Sequence, residues 1–256
     1  MRHRIYFTAG GLCFLVESEA RPSRALVRLL SGFRTVGVQR AYMHIDLVSN
    51  NRVSEDRPRK SISPEPLLLG WGLHRVVVGI DEESERSLVD GIGYGIVWAL
   101  IARRGLLLHA SCGLKDGLAY VFVGPSGAGK STILRNASGL ARVNDDRIAV
   151  RSIRQSVEVF SVPQFDNAGR TGNQNGGRLG GLFVLEKGGF ARIDRMSLDA
   201  AVGALALQTV LPEVFASQRS VALATILHWI GLGRVFRLQF RRLDDVTKLV
   251  EEVGHG

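Results

Sequence analysis

Eight residues in mid-chain, Gly124-Pro125-Ser126-Gly127-Ala128-Gly129-Lys130-Ser131, constrain this chain more than any other feature. They satisfy G-x-x-x-x-G-K-[ST] at every fixed position, and average residue usage gives a chance match in about one chain in a hundred of this length. The flanks give the match a structural meaning. Tyr120-Val121-Phe122-Val123 is an apolar run of strand length that leads into Gly124, and Thr132 to Ala137 leaves Ser131 as a helix-compatible segment. The loop therefore falls where a helix N-terminus faces a phosphate group. Gly124, Gly127 and Gly129 permit a tight turn with inward N–H groups, and Pro125, Ser126 and Ala128 complete its wall. Lys130 reaches the β- and γ-phosphates with no structural partner of its own in the loop. The Ser131 hydroxyl, with Thr132 beside it, is placed to meet Mg²⁺. The expected ligands are a nucleoside triphosphate, ATP in first place, and Mg²⁺.

The rest of the chain supplies an α/β frame for this loop. Apolar residues alternate from Arg4 to Val16 around Gly10-Gly11, which predicts a hairpin, and Arg24 to Leu30 carries leucines at helical spacing. A polar loop over 50–66 precedes a strand at Val76-Val77-Val78. A helix is predicted over Glu83 to Arg103, with Ser84 as its cap and Gly105 past its end. Leu106 to Ala110 and Leu118 to Val123 read as paired strands around Lys115-Asp116-Gly117. Strands at Arg147 to Val150, Val157 to Phe160 and Leu182 to Leu185 follow, and a largely helical C-terminal third ends in a strand at Val235 to Phe240. The polar, glycine-rich stretch from Gln164 to Gly180, with Asp166, Asn167, Asn173 and Asn175, is either a mobile substrate loop or a long connection. Two parts are expected, a small α/β layer over 1–88 and the loop-bearing domain over 89–256.

Composition narrows the partners. A hydrophobic fraction of 45% with 22% charged residues places the chain among soluble globular proteins. The net charge of +9 favours an anionic partner. The charge alone does not choose among nucleotide, nucleic acid and an acidic peptide, and a basic solvated surface is the plainer reading of it; the arginines lack the aromatic interleaving that stacks bases, which ranks nucleic acid last. Cys13 and Cys112 sit in apolar stretches and read as buried thiols in a reducing compartment. The apolar N-terminal run is broken by Gly10-Gly11, and the other apolar stretches are too short to cross a bilayer. A cytoplasmic protein without a membrane segment is the resulting expectation.

Four acidic or basic residues outside the loop are candidates for chemistry. The constellation Asn144-Asp145-Asp146 follows Val143 and precedes the strand-like Arg147-Ile148-Ala149-Val150. One carboxylate of such a pair can hold Mg²⁺ and the other can accept the proton of an attacking hydroxyl; a solvated turn gives the same residues. His109 precedes the strand that feeds the loop and is otherwise a core histidine. Glu186 ends an apolar strand, within reach of a metal site or exposed in a turn.

Taken in order, His109, the Gly124-to-Ser131 loop, Asp145-Asp146 and Leu185-Glu186 resemble the catalytic core of HPr kinase/phosphorylase and its shorter bacterial relatives, over roughly residues 89–242. Leu106-Leu107-Leu108-His109-Ala110-Ser111 is similar to the corresponding segment of kinases from lasso-peptide-type clusters. The resemblance implies a P-loop kinase core of the HPr kinase type with a mixed sheet. It assigns Asp146 as catalytic base, Lys130 and His109 as catalytic partners, and Ser131, Asp145 and Glu186 to the metal. The implied reaction is transfer of the γ-phosphate of ATP to a serine of a peptide or protein, and the family's tendency to associate makes a homo-oligomer one expected state. Thr132 stands where full-length HPr kinases usually carry Glu, and their glycine-rich signature after the metal-side glutamate is absent, so neither phosphorylase activity nor HPr as substrate is expected. The loop through Thr132 also resembles those of guanylate kinases and ABC ATPases. Its mid-chain position, the lack of Leu-Ser-Gly-Gly-Gln and the lack of an apolar strand ending in Asp-Glu rank both lower. A catalytically quiet nucleotide-dependent regulatory scaffold, or a small-molecule kinase, is the alternative.

Overall fold

The computed structural model describes residues 3–18, 21–35, 41–49, 67–72, 74–81, 84–163 and 176–255. Its contacts divide the chain into two compact units, Met1–Ala99 with Pro163–Gln174, and Leu100–Val162 with Asn175–Gly256. The polar loop predicted over 50–66, and Asp166, Asn167, Asn173 and Asn175, lie outside the described residues.

In the first unit, strands β1 (His3–Ala9) and β2 (Leu12–Ser18) form the expected antiparallel hairpin through Gly10-Gly11. Helix α1 (Arg24–Leu30) begins at Ser23, whose side chain accepts from the Leu26 N–H, and buries Leu26, Leu29 and Leu30. Three further strands, β3 (Met43–Ser49), β4 (Leu67–Gly72) and β5 (Arg75–Ile80), complete a mixed sheet in the order β1-β2-β3-β5-β4. Of these only β5 is marked by an apolar run in the sequence reading. Helix α2 (Glu85–Ile101) follows, with the Ser84 hydroxyl accepting from the Ser87 N–H as a cap should. This helix spans the 88/89 position at which the sequence suggests a division. Cys13 is only half-buried, whereas Cys112 of the second unit is fully buried. Cys13 lies in β2 two residues past the Gly10-Gly11 turn, paired with Thr8 of β1.

The second unit is built on an eight-stranded mixed sheet. Strands β6 (Gly105–Lys115) and β7 (Leu118–Val123) form a hairpin. After helix α3 (Lys130–Asn136), β8 (Ala141–Asn144) and β9 (Arg147–Ile153) both pair with β6, and β10 (Ser156–Ser161) pairs with β9. Strand β11 (Gly177–Lys187) runs parallel to β7 on one side and to β13 (Val235–Phe240) on the other, with β12 (Arg192–Arg195) at the edge. Because β11 starts at Gly177, residues 177–180 are strand and not part of a substrate loop: β7 and β10 offer their backbone groups on both sides of it. Helices α4 (Leu198–Gln208), α5 (Arg219–Gly231) and α6 (Thr247–His255) complete the unit.

Its core holds Phe122, Phe183, Ile133, Leu134, Leu185, Leu238, Phe240 and Val250. Phe122 stacks on Phe183 at 5.7 Å, and Phe183 on Phe236 at 5.8 Å. Each such ring contributes about 1.5–3 kcal/mol by burial, which fixes the three parallel strands whose C-terminal ends carry the loop. Trp229 of α5 is buried with its indole N–H donating to the Ser152 hydroxyl at 3.1 Å. Among the described residues no helix is long and apolar enough to cross a membrane.

Candidate functional site

The loop of Gly124 to Gly129 joins the end of β7 to the start of α3. Gly129 stands at the helix cap with φ of 103°, a left-handed conformation, and a Cβ there would sit 2.7 Å from Cζ of Phe240. Glycine is therefore required twice over, by backbone conformation and by the ring of β13. Pro125, Ser126, Gly127 and Ser131 are exposed, while Ala128, Gly129 and Thr132 are half-buried. The Thr132 hydroxyl accepts from Arg135.

Lys130 differs from the expectation that it has no partner in the loop. Its Nζ donates to the Gly124 carbonyl at 2.7 Å and the Pro125 carbonyl at 3.2 Å, and the residue is 8% exposed. A buried ammonium must meet acceptors, and the loop carbonyls are the ones within its reach. Burial lowers the Lys130 pKa, and the Asp146 carboxylate partly offsets that.

His109 and Asp146 meet as the sequence order suggests. His109 Nε2 lies 3.2 Å from Asp146 Oδ1, with both side chains about half-exposed. The pairing follows from topology: His109 faces Arg147 across β6 and β9, and the Ala110 N–H donates to the Asp146 carbonyl at 2.9 Å. The His109 pKa is lowered, first by burial and next by the Lys130 charge, against the opposing pull of Asp146. Arg147 Nε is 3.6 Å from the other Asp146 oxygen. His109, Asp146 and Lys130 thus form one electrostatic group at the loop.

Asp145 is turned elsewhere, onto the guanidinium of Arg142. The turn is set by Asn144, fully buried, whose Oδ1 accepts from the Asp145 N–H at 2.9 Å and whose Nδ2 donates to the Val162 carbonyl at 3.2 Å. Glu186, at the end of β11, accepts from Gln239 at 2.9 Å and lies 3.5 Å from Arg237 Nε. Among the described residues no cluster of three His, Cys, Asp or Glu side chains is suited to a metal ion. That donor set fits Mg²⁺ in one way, since this ion commonly keeps several waters and takes one or two protein oxygens beside phosphate oxygens. The exposed Ser131 hydroxyl fits that role. Asp145 and Glu186 would each have to leave an arginine to join it.

Arg142, Arg147 and Ser111, whose hydroxyl donates to the Lys130 carbonyl at 3.2 Å, were given no role by sequence reasoning, which named Asn144 only as the head of the acidic pair. Their partners are brought together by the pairing of β6 with β8 and β9, which no local pattern announces.

Residues 107–236 match the family model described as ABC transporter, just over half of the chain. No curated protein matches. Among solved structures, an Hpr(Ser) kinase/phosphatase from Coxiella burnetii is similar over 58% of this chain and 93% of that one, with 13% identity and a TM-score of 0.31. A score that low transfers no residue roles.

Proposed function

The chain belongs to the ABC transporter family, and from its P-loop site we propose that it is an ATP-dependent kinase acting on a hydroxyl, in first place a serine of a peptide or protein. The family match reverses the low rank that the sequence reading gave to ABC ATPases. That ranking rested on the mid-chain position of the loop and on two missing signatures, whereas the match runs from β6 to the start of β13 and supports a P-loop NTPase domain, for which nucleotide-dependent activity is the natural reading. The kinase reading within that frame is supported by one observation: the Asp146 carboxylate stands half-exposed between His109 and the buried Lys130.

In this reading the loop and Lys130 hold the β- and γ-phosphates, and Lys130 exchanges the Gly124 and Pro125 carbonyls for phosphate oxygens. Ser131 is the protein oxygen for Mg²⁺, which when bound neutralises phosphate charge; Asp145 and Glu186 are its reserve ligands. Asp146 orients the acceptor hydroxyl and takes its proton as the new oxygen–phosphorus bond forms and the bond to the β-phosphate oxygen breaks. His109 holds one oxygen of Asp146, and the other, 3.6 Å from Arg147 Nε, is the one that in this reading meets the acceptor. The net charge of +9 suits an acidic acceptor.

The test is mass spectrometry of serine-containing peptides and small hydroxyl compounds after incubation with the protein, ATP and Mg²⁺. Phosphate on a serine is expected, and Asp146→Asn should lower its rate by about 10²- to 10⁴-fold while nucleotide affinity changes far less. Nucleotide binding with no phosphate on any acceptor would replace this reading by the regulatory scaffold.

A further inference from the structure

We propose that Ser111 is a positioning residue, which ties the lysine of the phosphate cradle to the strand that carries His109. The inference rests on the cradle reading and not on the identity of any acceptor. Side chains alternate along a strand, so His109, Ser111 and Gly113 share one face of β6. Each meets a different part of the site. His109 reaches Asp146 at 3.2 Å. Ser111 donates to the backbone carbonyl of Lys130, 19 residues away in sequence, at 3.2 Å. Gly113 leaves room for α3 and the turn after it, since a Cβ at that position would stand 3.1 Å from Leu134 Cδ2 of the helix and 2.8 Å from Leu140 Cβ just beyond it.

One face of one strand therefore sets three distances at once: to the acid turn, to the first residue of α3, and to the body of that helix. Ser111 is fully buried, so its hydroxyl has no solvent to turn to, and the Lys130 carbonyl is the acceptor that satisfies it. The backbone of Lys130 is the pivot from which its side chain extends to the phosphates. A hydroxyl fixing that pivot acts on nucleotide binding through Lys130, without touching the nucleotide.

The experiment compares ATP affinity and melting temperature in the full chain. Ser111→Ala keeps nearly the same volume and removes only the donor. ATP affinity should fall about three- to tenfold, the range expected from one hydrogen bond. Ser111→Thr, which keeps the hydroxyl, should recover most of it. A purely structural serine would lower the melting temperature of Ser111→Ala and leave the ATP affinity of the folded protein unchanged, and that result overturns the proposal. If Ser111→Ala does not fold, Ser111→Cys takes its place, with its weak sulfur donor in a similar volume: weakened ATP binding supports the proposal and unchanged binding overturns it. Failure of the wild-type protein to bind ATP would overturn the cradle reading itself, and the role of Ser111 with it.

Discussion

Gly129→Ala perturbs the cradle at the point where its backbone and its packing are both committed. The residue has φ of 103°, and a Cβ would stand 2.7 Å from Cζ and 3.4 Å from Cε2 of Phe240. A non-glycine residue in left-handed backbone costs about 1–2 kcal/mol, and overpacking a filled site costs about 1–3 kcal/mol. Phe240 cannot swing aside cheaply, because it is buried in the core cluster with Phe183 and Leu238. The sum is about 2–5 kcal/mol, with the lower half favoured because the exposed residues Pro125 to Gly127 can absorb part of the shift. Urea denaturation of Gly129→Ala, Phe240→Leu and the double variant separates the two causes. Phe240→Leu removes the ring edge, so the double variant should be more stable than the sum of the single losses by about 1 kcal/mol or more, while the backbone part of the cost persists. ATP titration should show weakened binding in both Gly129→Ala proteins, since the loop is displaced in each. A Gly129→Ala protein within about 0.5 kcal/mol of wild type, with no coupling to Phe240, would refute the geometry given for the loop.

Two further outcomes follow from the charged groups at the loop. Lys130→Ala should weaken ATP binding by at least about tenfold and also lower stability by about 1–2 kcal/mol, because the ammonium clasps the Gly124 and Pro125 carbonyls; titration and urea denaturation measure the two, and undiminished ATP affinity would remove the cradle assignment. The folded-state pKa of His109 is lowered, so the unfolded chain binds the proton more readily, and stability should fall as pH drops from about 7 through the ordinary histidine value of about 6.5 until the lowered folded value is passed. His109→Gln should flatten that part of the stability profile, and parallel profiles for the two proteins would show that His109 does not contribute.

The parts of the fold that were legible in the sequence are those whose signal is local. The loop was read from eight consecutive residues, the first hairpin from alternation around Gly10-Gly11, and the cap of α2 from Ser84 before an apolar helix. Strands β8 and β12 were not seen, because each has four residues and owes its conformation to a distant partner strand. The start of β11 was hidden for the same reason. Gly177, Gly180 and Gly181 look like loop residues in sequence, yet Gly177 faces Leu114, Gly180 faces Tyr120 and Gly181 faces Phe183, so small residues are what the packing there demands. Lys130 was misjudged because a lysine written into a phosphate motif carries no sign of the carbonyls beside it.

The two adjacent aspartates show how topology gives different surroundings to residues that spacing leaves alike. Strand β8 ends at Asn144 and β9 begins at Arg147, so Asp145 and Asp146 form a two-residue link between strands that both pair with β6. Such a short link has little freedom. Its first residue is held by the Asn144 side chain and turned back to Arg142 of β8, while its second is drawn to β6 through both its carbonyl, at Ala110, and its carboxylate, at His109. The second also acts on the charge of Lys130. The proposal that Asp146 faces the transferred phosphoryl group therefore draws its support from the β6 pairing, and any change that weakens that pairing should disturb Asp146 before Asp145.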